Sequence, residues 1–257
     1  MTPPRPAISL ILPAFNESRT IAGTVREAVE YFRGRRLGYE IIVAADGNDG
    51  TREICLELAL ADPAIRVIGE DARRGKGRGI REAVAISTGH VVGFADADNK
   101  VPIEEYGKLE PYLADYPMVI GSRALVRELV EKKQPLHRQI GSVGFRYFMR
   151  AVVGLPGIHD TQCGFKFFRA PVAHDLFNLQ RVDGYMFDVE ILYIAQKRGY
   201  GIKEVPIRWR DDADSRLELF AGNVRNALDI FRIRLSTGDI PPAPDALREA
   251  PLERAVK

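Results

Sequence analysis

Apolar residues fall along this chain in two alternating textures. Short, nearly continuous apolar blocks, Ile8 to Leu12, Glu40 to Ala45, Ile65 to Gly69 and Val91 to Ala95, read as strands buried on both faces. Between them, apolar residues recur every three or four positions: Ile21, Val25, Ala28, Val29 and Phe32 within Thr20 to Arg33, then Thr51 to Leu60 and Gly79 to Ser87. Each of these reads as a helix. Such alternation predicts an α/β fold, a mostly parallel sheet flanked by helices, with ligands bound outside the carboxyl ends of the strands.

Past Pro102 the texture changes. A helix is expected near Glu104 to Ala114, a strand at Met118 to Gly121, a polar stretch over Arg127 to Gln134 and a helix from Pro135 to Val153. A strand-helix-strand section follows, with Gly164 to Phe168, Phe187 to Arg198 and Ile202 to Trp209. A last amphipathic helix carries Leu217, Phe220, Val224, Leu228, Phe231 and Leu235 on one stripe. Beyond Ser236, prolines 241, 242, 244 and 251 among charges predict a disordered tail over residues 237–257.

Composition narrows the function. With 257 residues and 46% apolar content the chain can bury one sizeable core, so a single domain over residues 1–236 is expected. A net charge of +2 is too small for a surface that tracks nucleic acid. Cys55 and Cys163 form neither a disulfide framework nor a thiolate metal site. No segment approaches the roughly 18 apolar residues of a membrane span. A cytoplasmic protein is expected, at most peripheral on the cytoplasmic face of a membrane.

The polar residues that interrupt the pattern fall just after strand ends. Asp96-Ala97-Asp98 follows the strand Val91 to Ala95, and alternation puts both carboxylates on one side of the chain. Two such charges side by side call for a hard cation, Mg²⁺ or Mn²⁺, which binds through one or two carboxylates plus substrate phosphates. A solvated turn is the plain alternative. Arg73 to Gly79 sets glycines and cations before a helix, where phosphate is well received, although a surface turn would look the same and the Walker order is absent. Pro13 to Glu17 and Asp46 to Thr51 read as turns, with Asp46 also suited to accept from a base or ribose.

Taken in order, Pro13-Ala14-Phe15-Asn16-Glu17, the Asp46 to Thr51 loop, Arg74 to Gly77, Phe94 to Asp98, Gly121-Ser122-Arg123, Asp160 to Lys166 and Phe187 to Glu190 resemble the family 2 glycosyltransferases, in particular the dolichyl-phosphate glucosyl- and mannosyltransferases. The resemblance runs from about Ile8 to Arg234. It implies the GT-A fold, with residues 7–100 as the nucleotide-binding half and 101–236 as the acceptor half. It also implies an inverting, metal-dependent transfer of a hexose from UDP-glucose or GDP-mannose to a polyprenyl phosphate at a membrane surface. On this resemblance Pro13, Ala14, Phe15, Glu17 and Asp46 surround the nucleoside, and Lys76 faces the diphosphate. Asp96 and Asp98, with Ala97 between them, hold the metal, while Arg123 and Arg138 meet the acceptor phosphate.

Arg123 has a plainer role open to it, pairing with Glu128 or Asp160 to brace its loop. Asp160, Asp188 and Glu190 are the acids left over as general bases should the acceptor be a soluble alcohol. Two rival functions are a nucleotidyltransferase, whose Gly-rich basic loop would occupy the place of Pro13 to Glu17, and a non-catalytic nucleotide-sugar binder, which would have no need of both Asp96 and Asp98.

Overall fold

The computed structural model describes residues 5–125, 154, 155, 157–210, 221–237, 239–249 and 252. Among these, seven strands form one sheet in the order β3-β2-β1-β4-β6-β5-β7. Strands β1 (Ile8–Phe15), β2 (Tyr39–Asp46), β3 (Ile65–Ile68) and β4 (Val91–Ala95) are mutually parallel. β6 (Phe165–Arg169) runs against both β4 and β5 (Met118–Ser122), and β7 (Ile202–Pro206) is parallel to β5.

These directions decide what reaches one edge of the sheet. β2 and β3 lie on one side of β1 and β4 on the other, so the loops leaving β1 and β4 part and open a crevice beyond their carboxyl ends. Because β6 is reversed, with Ala95 opposite Phe165, its amino end arrives at the same edge. Two reversals restore the direction for β5 and β7, so Ser122 and Pro206 end there as well.

The flanking helices are α1 (Ile21–Gly34), α2 (Thr51–Ala61), α3 (Lys76–Ile86), α4 (Tyr106–Leu109), α5 (Ala170–Leu179), α6 (Phe187–Arg198), α7 (Ala221–Ser236) and the short α8 (Asp245–Arg248). Alternation along β1 feeds two cores. Ile8, Leu10 and Leu12 meet Ile21, Val25, Ala28 and Phe32 of α1, while Ile11 joins Ile80 and Val84 of α3 and the apolar faces of α5 and α6. The second core is rich in aromatic rings, with Phe94 5.5 Å from Phe187 and Phe168 5.8 Å from Phe177. α6 is buried along almost its whole length, Asp188 and Glu190 included. Both acids sit in its first turn, where the helix dipole favours negative charge.

Several expectations need correction. Glu104 to Ala114 is not one helix but α4 between two 3₁₀ turns, Ile103–Glu105 and Glu110–Ala114, because Pro111 has no amide to continue the ladder. α5 was not anticipated, its start hidden by Pro171, which is well placed in a first helical turn. In α7, Leu228, Phe231 and Leu235 are 53%, 50% and 83% exposed, whereas Ile230 and Ile233 are fully buried. Two apolar stripes interleave on this helix, and period alone does not tell which one packs. Leu217 and Phe220 lie outside the described residues. So do Arg127 to Gln134 and the helix expected from Pro135 to Val153.

The expected tail also departs from its reading over residues 239–249. Arg198 donates to the carbonyls of Pro241 at 3.0 Å and Pro242 at 3.2 Å, and the Ala243 amide returns to the Arg198 carbonyl at 2.9 Å. Prolines held in a fixed extended backbone present carbonyls without competing donors, which suits a guanidinium.

Candidate active site

The crevice is built first by two acids at the end of β2. Asp46 accepts the amides of Arg74 at 2.8 Å and Glu70 at 3.3 Å. Asp49 accepts the Ser18 amide at 3.1 Å and both the amide and hydroxyl of Thr51, at 3.0 and 2.5 Å. Burial opposes the charge on Asp49, but these donors outweigh it and hold its carboxyl at about 2. The Thr51 hydroxyl in turn accepts the Glu17 amide at 2.8 Å. Three loops are thereby tied together, and Arg73 lies over the Phe15 ring at 4.5 Å while reaching the Tyr185 hydroxyl at 3.1 Å.

At the end of β4, Ala97 is 3% exposed and its carbonyl accepts from the Thr24 hydroxyl at 2.9 Å. Ala97 therefore acts by position. Its neighbours turn the other way, with side chains 41% exposed for Asp96 and 33% for Asp98. Lys76 Nζ stands 2.5 Å from Asp96 Oδ1, and Lys100 Nζ stands 3.1 Å from Asp98 Oδ2. Among the described residues no group of three His, Cys, Asp or Glu side chains gathers that would cage a metal unaided. Two half-exposed carboxylates fit Mg²⁺ or Mn²⁺ in its usual role, with substrate phosphate and water completing the coordination.

Lys76 opens a helix instead of preceding one. α3 starts at Lys76, three residues before Gly79, and the Gly77 and Arg78 amides donate to the Asp183 carbonyl at 2.9 and 3.3 Å. The cradle of amides expected for phosphate is thus closed by Asp183. What the basic loop offers is the ammonium group of Lys76. Gly75 makes the approach possible: its φ is +113°, and a Cβ there would lie 2.3 Å from the Asp183 carbonyl oxygen. Burial works against the charge of Lys76, yet Asp96 and Asp188 together raise its pKa above that of an ordinary lysine.

On the far side of the crevice the structure joins Arg123 to Asp160. Nε and Nη2 of Arg123 reach the two carboxylate oxygens at 2.7 and 2.9 Å, and the Arg123 amide adds a third bond at 3.0 Å. Burial opposes both charges, but each partner stabilises the other, so the arginine titrates higher and the aspartate lower than usual. The bracing role is therefore the one the geometry displays, and the Arg123 fork is engaged by protein. Glu204 receives the Asp160 amide at 2.8 Å, and Trp209 lies under Arg123 at 5.6 Å. Arg138 lies outside the described residues.

The remaining acids are also engaged. Asp188 pairs with Lys166 at 2.5 Å, and burial raises its pKa against the pull of Lys166 and Lys76. Glu190 accepts the amides of Arg181 at 3.0 Å and Val182 at 2.8 Å, anchoring the segment that carries Asp183. Lys166 closes the Asp160 to Lys166 motif, where the sequence assigns it no role of its own, and it stands fully buried in β6 between phenylalanines. That setting was its signal, since a lysine is rarely buried unless paired.

The model of Glycosyl transferase family 2 matches residues 9–177. A dolichyl-phosphate beta-glucosyltransferase of Trichomonas vaginalis is 34% identical over 241 residues, covering 88% of this chain and 70% of that protein. The Homo sapiens dolichyl-phosphate beta-glucosyltransferase is 32% identical over 247 residues, covering 90% and 76%. In fold, the chain is similar to glucosyl-3-phosphoglycerate synthase from Mycobacterium tuberculosis, solved in complex with Mn²⁺, uridine diphosphate and phosphoglyceric acid. That likeness has a TM-score of 0.66 at 21% identity and covers 92% of this chain and 80% of the other.

Proposed function

The chain belongs to glycosyl transferase family 2, and on that premise we propose that it moves glucose from UDP-glucose to the phosphate of a dolichyl or other polyprenyl phosphate, with inversion. It is a glycosyltransferase of GT-A fold. The sugar and the acceptor are supported by the names of its relatives, and the uridine base by the nucleotide in the solved structure of similar fold. In this reading residues 7–100 carry the donor and residues 101–236 the acceptor.

Asp96 and Asp98 would hold Mg²⁺ or Mn²⁺, which when bound supplies Lewis-acid charge to the departing diphosphate. Lys76 pairs with the same diphosphate, and Pro13, Ala14, Phe15, Glu17 and Asp46 frame the nucleoside. An acceptor phosphate oxygen forms its bond to the anomeric carbon while the bond to UDP breaks and the electron pair leaves with UDP. Arg123 acts on the acceptor side as a positioning residue through Asp160.

One observation carries the choice of a phosphate acceptor. Asp160 is bonded to Arg123, Asp188 to Lys166 and Glu190 to two backbone amides, so each leftover acid near the crevice is engaged. An alcohol would need one of them as base. A phosphate has a second pKa near 6 and attacks as a dianion.

Among the described residues no helix is long and apolar enough to cross a membrane. Attachment to the cytoplasmic membrane face would instead use the exposed Leu228, Phe231 and Leu235 of α7, spaced to lie along one stripe. The test offers radiolabelled UDP-glucose or GDP-mannose with Mn²⁺ or Mg²⁺ and either a short-chain dolichyl phosphate or the matching dolichol. Label from UDP-glucose should enter the lipid phosphate alone. Equal transfer from GDP-mannose overturns the donor, and transfer to the alcohol at a comparable rate overturns the acceptor.

A further inference from the structure

Both carboxylates assigned to the cation are already ion-paired within the chain, each to a different lysine. Lys76 comes from the start of α3, and its Nζ lies 2.5 Å from Asp96 Oδ1. Lys100 lies two residues beyond Asp98; its Nζ is 3.1 Å from Oδ2 and its amide 3.2 Å from Oδ1. The lysine side chains are 17% and 18% exposed, so these pairs are less screened than surface ones. Behind Lys76 stands Asp188, itself bonded to Lys166.

A divalent cation entering alone has to displace two ammonium groups and leave them beside itself in a half-covered crevice. That is unfavourable in any environment less polar than water. A diphosphate changes the balance, because its oxygens accept the released lysines as well as the cation. We infer that Lys76 and Lys100 latch the Asp96 and Asp98 carboxylates, holding metal affinity down until a nucleoside diphosphate arrives, so that the two ligands enter cooperatively. The inference rests on the metal-dependent reading above. By linkage the coupling is reciprocal, and each ligand tightens the other by the same factor.

The latch separates from ordinary bridging by phosphate through the sign of two effects. Lys76→Met or Lys100→Met removes a competitor from the metal carboxylates, so Mn²⁺ alone binds tighter, by roughly threefold to tenfold for pairs of this partial burial. The same change removes a phosphate partner, so UDP alone binds more weakly. Damage to the fold would lower both affinities together.

The experiment titrates the full chain with Mn²⁺, following loss of the free-ion electron paramagnetic resonance signal with and without UDP. Calorimetry measures UDP binding without metal, and a thermal melt is run on each variant. In the native protein UDP tightens Mn²⁺ by roughly tenfold or more, within the usual range of coupling energies and above it where phosphate adds ligands. In each variant Mn²⁺ alone tightens and the effect of UDP shrinks. Should Lys76→Met melt early, Lys100→Met carries the test by itself. Variants that leave the affinity for Mn²⁺ alone unchanged or lowered overturn the latch and leave the metal site standing. Failure of the native protein to bind Mn²⁺ even with UDP overturns both.

Discussion

Replacing Gly164 by alanine puts a methyl group where the Asp96 carboxylate sits. A Cβ built on Gly164 lies 2.2 Å from Asp96 Oδ2, 2.4 Å from Cγ and 2.5 Å from Oδ1. Comfortable contact begins near 3.5 Å, so the carboxylate must retreat by roughly 1 Å. The backbone cannot yield easily, because the Asp96 amide is bonded to the Gly164 carbonyl at 3.1 Å and Ala95 is in register with Phe165. The Asp96 side chain can, since it is 41% exposed and held chiefly by Lys76. Losing that partly exposed pair costs about 1 kcal/mol or less of stability. A displacement of this size in a catalytic ligand costs on the order of a hundredfold in rate, about 2.7 kcal/mol of barrier. The assay pairs steady-state glucosyl transfer with a thermal melt, and Gly23→Ala serves as control because a Cβ there meets nothing within 4 Å. Gly164→Ala should melt close to the native protein while kcat/KM collapses. A variant with kcat/KM within threefold of native would refute the claim that Asp96 must stand where it does.

Asp98→Asn should lower turnover on the order of a thousandfold with an unchanged melt, and retention of half the activity with the metal still required would remove Asp98 from the site. Arg123→Lys keeps the charge but loses the fork on Asp160, so stability should fall by about 1–3 kcal/mol and the acceptor KM should rise while the donor KM holds; an unchanged melt would contradict the brace. Cys55 and Cys163 are fully covered, and burial pushes both thiols up to about 12, so neither should react with iodoacetamide at pH 8 until the protein unfolds; rapid native labelling would show the covering to be wrong. Leu228→Ser, Phe231→Ser and Leu235→Ser combined should cut co-flotation with anionic phospholipid vesicles by roughly tenfold without altering the melt, and equal flotation would exclude the α7 stripe as the membrane contact.

Much of this molecule was legible because its signals are local. The strands Ile8 to Leu12 and Val91 to Ala95, and the helix after the first of them, follow from apolar period alone, and the place of Asp96 and Asp98 follows from strand alternation. Their order along the chain carried the family resemblance, which the match over residues 9–177 bears out. What period could not decide was everything settled by a partner far away in sequence. Which stripe of α7 faces inward depends on α6, and whether the α3 amides stay open depends on Asp183, more than a hundred positions on. Lys166 could be seen as a lysine among phenylalanines, but its meaning waits on Asp188 in α6. The same holds for the reversal of β6, which turns Gly164 toward Asp96 and makes its missing side chain part of the site. A sequence fixes the chemistry of each residue and the period of its neighbours; only the closed sheet determines which charges meet, because pairing energies depend on distances that no local rule sets.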